Sequence, residues 1–169
     1  RKLGTKALRL GGLAAVGGLA YVAWRRYQQA GALAESLPPD AAATAPLSAF
    51  VPPPEAVPQR DALGLTLLHA MIAAAQADGK LDGDERRAIF ERVEALGLPA
   101  ADKAALFAQL DAPVDLGVLV AEARTPELAA EIYTASLLAI ELDTAAERGY
   151  LAMLAARLGL PDGLVAAIH

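Results

Sequence analysis

The chain has no cysteine, which excludes disulfides and thiolate metal sites. It has two histidines, His69 and His169, too few for a histidine-rich metal centre. Aromatic residues make up 5% of the chain and include one tryptophan, so helices packed through small and aliphatic side chains are favoured. No apolar–polar alternation between turn pairs is present, so the signal of a half-buried strand is missing. Neither a P-loop nor a GxGxxG turn occurs. No nucleophile stands in a pattern with an evident base, and no catalytic residue is assigned. Acids are absent from residues 1–26, which hold Arg1, Lys2, Lys6, Arg9, Arg25 and Arg26. The rest of the chain carries 9 basic and 20 acidic residues. A basic head on an acidic body suits a membrane surface better than nucleic acid, and no basic, aromatic-interleaved face is visible in the body.

What is present divides the chain into three zones. Residues 1–29 contain the uncharged run LGGLAAVGGLAYVAW, 15 residues from Leu10 to Trp24. As a helix that run is roughly 22 Å long, against ~30 Å of bilayer hydrocarbon. Starting at Ala7 with Arg9 snorkelling brings it to roughly 27 Å. Tyr21, Trp24 and Tyr27 share one helix face, as an interfacial aromatic belt would. Gly11 with Ala15, and Ala14 with Gly18, are small-residue pairs through which two copies of the helix would self-associate. A transmembrane or deeply inserted helix, single-pass, and a peripheral interfacial segment both fit. A cleaved signal does not, because Arg25-Arg26 reads as a stop. The first residue is Arg1 and not Met, so an upstream segment is expected.

Residues 30–59 hold Pro38, Pro39, Pro46, Pro52, Pro53, Pro54 and Pro58 and few large apolar residues, the composition of an extended linker. Residues 60–169 carry apolar residues at helical spacing, as in Leu68, Met71, Ile72 and Ala75. Starts are marked by Asp82, by Thr125-Pro126 and by Thr144 with Glu147 three residues on. Gly97 and Gly159, each followed by Leu-Pro, mark stops. These signals predict an all-α domain of about seven helices over 60–77, 83–96, 100–110, 114–124, 126–142, 145–158 and 162–168. Counting back from the shared Leu-Gly-Leu-Pro places Glu147 opposite Glu85 and Arg148 opposite Arg86, which predicts an internal pseudo-repeat.

Asp78, Asp82, Asp84 and Glu85 put four carboxylates into eight residues, and Asp143 and Glu147 open the second unit. Clustered carboxylates are hard ligands suited to Ca2+, Mg2+ or Mn2+. An EF-hand is rejected: with Asp78 first, Lys80 stands third and Ile89 twelfth, where oxygen ligands are required. If the repeats pack about a pseudo-twofold axis, Asp78, Asp82, Glu85, Asp143 and Glu147 form one candidate cation surface. Helix capping is the competing reading for Asp82, Asp84, Glu85 and Glu147, and it does not account for Asp78. His69, among apolar neighbours, reads as a packing residue.

AQADGKLDGDE followed by a helix and Leu-Gly-Leu, then LDTAAERGYLAMLAARLGL, resembles the TerB-like tellurite-resistance superfamily. The basic Gly/Ala-rich head and proline-rich linker are similar to uncharacterised bacterial inner-membrane proteins of the YebE type. The resemblance implies a TerB-like helical domain behind an N-terminal membrane-associated helix, at the bacterial inner membrane. It implies a non-enzymatic sensing or scaffolding role in the envelope or stress response, with an unidentified protein partner. It also implies an acidic, metal-binding surface at Asp78, Gly79, Asp82, Glu85, Asp143 and Glu147. The second unit reads Ile140-Glu141-Leu142-Asp143 where the first has Ala-Asp-Gly, which argues against two equivalent ion sites. A module whose acids are only caps, and a metal-dependent hydrolase, are the alternatives.

Overall fold

The computed structural model describes residues 13–34, 46–77, 79, 81, 83–95, 99–112, 115–140, 142 and 144–169. Among these residues there are eight α-helices, one short 3-10 turn and no strand. Helix α1 spans Leu13–Ala34, the 3-10 turn Leu47–Ala49, α2 Val57–Ala75 and α3 Gly83–Ala95. Then follow α4 Ala100–Gln109, α5 Leu116–Glu122, α6 Pro126–Ala139, α7 Ala145–Leu158 and α8 Asp162–Ile168.

Local chemistry explains several boundaries. Thr125 Oγ1 accepts from the Leu128 amide at 3.1 Å, and Pro126 occupies the first turn, where its missing N–H is not needed. Thr144 Oγ1 accepts from the Glu147 amide at 3.2 Å, and Glu147 Oε2 accepts from the Thr144 amide at 3.0 Å. That reciprocal pair is a capping box, as the Thr-x-x-Glu spacing predicts. Helix α7 stops at Gly159, whose φ of 67° is a left-handed conformation that glycine adopts without strain. Asp115, not assigned a capping role from the sequence, accepts from the Gly117 amide at 2.7 Å and starts α5. Asp82 and Gly97, the other expected markers, lie outside the described residues.

Two boundaries differ from expectation for identifiable reasons. Helix α2 starts at Val57, not 60, because Pro58 sits in its first turn and does not belong to an extended segment. Helix α6 ends at Ala139, not 142: Ile140 is extended, with φ −125° and ψ 153°.

Helix α6 is the centre of the fold, with every residue from Ala129 to Ser136 buried. Its most extensive partner is α2. Helix α7 begins 62 residues after α3, and α8 begins 62 residues after α4. The same offset relates α2 broadly to α6, so the two equivalent helices pair with each other at the middle. Leu68 and Ile72 of α2 meet Ile89, Val93, Leu106 and Leu110 to form the core of the first unit. Phe90 and Phe107 stack at its edge with ring centroids 4.1 Å apart.

Helix α1 lies on this body, against α8, α6 and α2. Val16, Ala20 and Ala23 form its buried strip. Gly17 permits a close approach: a Cβ there would stand 2.6 Å from Val51 Cγ2 and 2.7 Å from the Phe50 carbonyl oxygen. Phe50 is fully buried, edge-on to Tyr21 and Trp24 at 5.8 Å from each ring. Burying a side chain of that size contributes roughly 1.5–3 kcal/mol. Residues 46–56, expected in an extended linker, are thus held on the body. Arg60 adds a bond from Nη1 to the Pro52 carbonyl at 3.4 Å. Helix α1 also continues to Ala34, beyond the expected limit at 29. Residues 1–12 and 35–45 of these zones lie outside the described residues. Tyr21, Trp24 and Tyr27, expected as an interfacial belt, pack against Phe50, Leu160, Leu164 and Ile168. Gly18, expected at a helix–helix contact, has open space around it. Among the described residues no helix is long and apolar enough to cross a membrane.

Candidate functional site

Of the five candidate cation ligands, Asp78, Asp82 and Asp143 lie outside the described residues. Glu85 is the third residue of α3, and its side chain lies outside what the structure describes. Glu147 is at the equivalent place on α7 and is 2% exposed. Its Oε2 accepts from both the amide and, at 2.8 Å, the hydroxyl of Thr144. These bonds hold the side chain against the N-terminus of its helix, where the backbone dipole favours an acidic group. Among the described residues no group of three or more His, Asp or Glu side chains stands close enough to hold a metal ion.

The arginines matched by the repeat do different work. Arg86 Nη2 lies 2.6 Å from Asp111 Oδ1 and ties α3 to the end of α4. Arg148 Nη1 donates to the Leu142 carbonyl at 3.4 Å, bracing the turn before its own helix. The Arg86–Asp111 pair is exposed at both ends, so its net worth is small.

Several polar features escaped the sequence reading. Glu131 is a core residue despite its carboxyl group. It is 1% exposed in the middle of α6, and among the described residues its Oε2 has no hydrogen-bond partner. Burial, with the Glu127 carboxylate one turn away adding to it, pushes its pKa up to about 8. The signal was available as a lone charge within an otherwise apolar run, LAAEIYTASLLA. His69 is not only a packing residue: its Nδ1 stands 3.3 Å from Glu122 Oε1 on α5. His169 Nε2 lies 2.8 Å from the Tyr133 hydroxyl, and burial raises the pKa of that phenol.

A further feature is a cleft whose lining includes Gln76, Arg86, Asp111 and Tyr150. Its lining is drawn from four helices, the turn after α2 and the segment after α4, and no local motif announces it. Gln76 Nε2 donates to the carbonyls of Gln109 at 3.2 Å and Leu110 at 2.9 Å, which joins α2 to the end of α4.

One relative is described as the "uncharacterized protein in ampR 5'region" of Yersinia enterocolitica. It is 30% identical over 96 residues, covering 57% of this chain and 69% of that protein. No solved structure matches the chain. The profile of DUF533, described as a protein of unknown function, matches residues 1–169, and with the all-α architecture this places the chain in the TerB-like DUF533 family.

Proposed function

We propose that the chain is a non-enzymatic helical scaffold that its N-terminal helix tethers to the bacterial inner membrane. One observation carries the reading: α1 has two unlike faces. The face toward the body holds Val16, Gly17, Ala20 and Ala23. At ~100° per residue, the opposite arc collects Leu19, Val22, Arg25 and Arg26. Leu19 is 52% exposed and Val22 46%, and both arginines are exposed. Apolar side chains followed by paired cations on one helix face suit an anionic lipid surface. Residues 1–26 contain no acid, while the remainder of the chain is strongly acidic. Electrostatics therefore orient this end, and not the body, toward anionic lipid. The reading is compatible with a helix lying in the interface while docked on its own domain. The test is co-sedimentation of the full chain with phosphatidylcholine vesicles, with and without phosphatidylglycerol. Binding is expected only with the anionic lipid and is expected to weaken severalfold in Leu19→Asp and Val22→Asp. Equal sedimentation of wild type and variants would count against it.

A second reading gives the scaffold a divalent cation at the acidic helix starts, with Asp78, Asp82, Glu85, Asp143 and Glu147 as ligands. It is favoured by the equivalent first-turn positions of Glu85 and Glu147 on α3 and α7, as the 62-residue repeat requires. Calorimetric titration with Ca2+, Mg2+ and Mn2+ tests it. Saturable heat that Asp143→Ala abolishes is expected, and the absence of heat from all three ions would dismiss it.

A further inference from the structure

Helix α1, the link from α5 to α6 and the link from α7 to α8 enclose a second cleft of about 400 Å3. That volume is within the range of small-molecule sites. Its apolar wall joins Trp24 and Tyr27 of α1 to Leu158, Leu160 and Leu164 of the second unit. Leu164 is buried beneath it. Trp24, Tyr27, Leu158 and Leu160 are only partly buried, so the wall keeps apolar surface that a ligand can reach. Covering such surface is favourable because it is removed from water.

The lining carries one charge, Arg124, which is exposed in the link before α6. Among the described residues its guanidinium has neither an ion pair nor a hydrogen bond, whereas Arg86 and Lys103 are paired with acids. The residues that flank the lining along the chain are all described. Among them Arg25, Arg26 and Arg157 are matched by Glu122, Glu127 and Asp162, which leaves Arg124 in excess. A guanidinium with open donors fits a carboxylate, which accepts two parallel hydrogen bonds from its planar fork. A phosphate dianion calls for a second cation, and the described lining has none. The cleft therefore presents one uncommitted cation beside an accessible apolar wall.

We propose that this cleft binds an aliphatic monocarboxylate of the fatty-acid class, its tail on the wall of Trp24, Tyr27 and the leucines and its carboxylate on Arg124. The proposal is independent of the lipid contact of α1, because Leu19 and Val22 are not in this lining. Trp24 is the single tryptophan of the chain, so its fluorescence reports on the cleft directly. The full chain is titrated, without vesicles, with octanoate, 1-octanol and octylammonium, each as monomers. A saturable change in Trp24 emission is expected with octanoate, at a concentration at least tenfold lower than with octanol. Octylammonium is expected to produce none over the same range. Arg124→Gln, a change at an exposed position, is expected to weaken octanoate binding to the level of octanol. Lys103→Gln removes a cation that is not in the lining and is expected to bind octanoate as wild type does. The proposal is overturned if octanoate has no saturable effect, or if octanol or octylammonium binds as tightly. That comparison uses the unaltered chain and holds even if Arg124→Gln misfolds. Folded Arg124→Gln binding octanoate like wild type would overturn it too. So would equal weakening in Lys103→Gln, since the attraction would then belong to net charge and not to Arg124.

Discussion

Glu131 shows how one side chain ties core packing to pH. In the unfolded chain it ionises near 4.5, and in the fold near 8. Between those values the folded state holds a proton that the unfolded state has released, so raising the pH lowers stability. The contribution is fully present below pH 4.5 and is lost as pH rises toward 8. At neutral pH the accumulated loss is on the order of 3 kcal/mol, from 1.36 kcal/mol per pH unit. Glu131→Gln keeps the shape and removes the titration. Urea unfolding at pH 5 and pH 7.5 is expected to show a falling stability in wild type and a much flatter one in the variant. An unchanged slope would mean that Glu131 titrates normally in the fold. Residue roles were unevenly legible. The Thr144–Glu147 box could be read because capping needs only a fixed local spacing. The Gln76–Tyr150 cleft could not, because its partners are 74 residues apart and meet only through packing.

Helix α1 is the element where composition misleads most. Its glycines and alanines read equally well as a lipid-embedded helix or as one packed on protein. The structure separates them one by one. Gly17 lies under the backbone of Phe50, whereas Gly18 faces open space. Gly17→Val is expected to lower stability by about 1–3 kcal/mol through overpacking. Gly18→Ala is expected to raise it by up to about 1 kcal/mol through helix propensity. Thermal unfolding of the two variants checks this, and similar melting temperatures would contradict the docked position of α1. The 46–56 segment was misjudged for a related reason. Seven prolines dominate the zone, yet Phe50, its single aromatic residue, supplies an anchor that α1 covers.

For the whole molecule, the repeat accounts for most of what the sequence made legible. Helix starts at 83, 100, 126, 145 and 162 fall where caps, prolines and the 62-residue offset put them. How the repeats meet was not legible, because α2 and α6 are apolar over much of their circumference and carry no single facing stripe. The charge split survives in three dimensions: the exposed arginines of α1 stand beside its exposed leucine and valine, and an acidic body follows. The central claim is that α1 meets lipid with one face while the other stays on its own domain. A chain without cysteine allows single nitroxide labels to be placed cleanly. Labels at Leu19, Val22 and Met153 would be compared by oxygen accessibility, with and without anionic vesicles. The account expects accessibility to rise at positions 19 and 22 and to stay constant at 153. No rise at positions 19 and 22 when vesicles are added would contradict it.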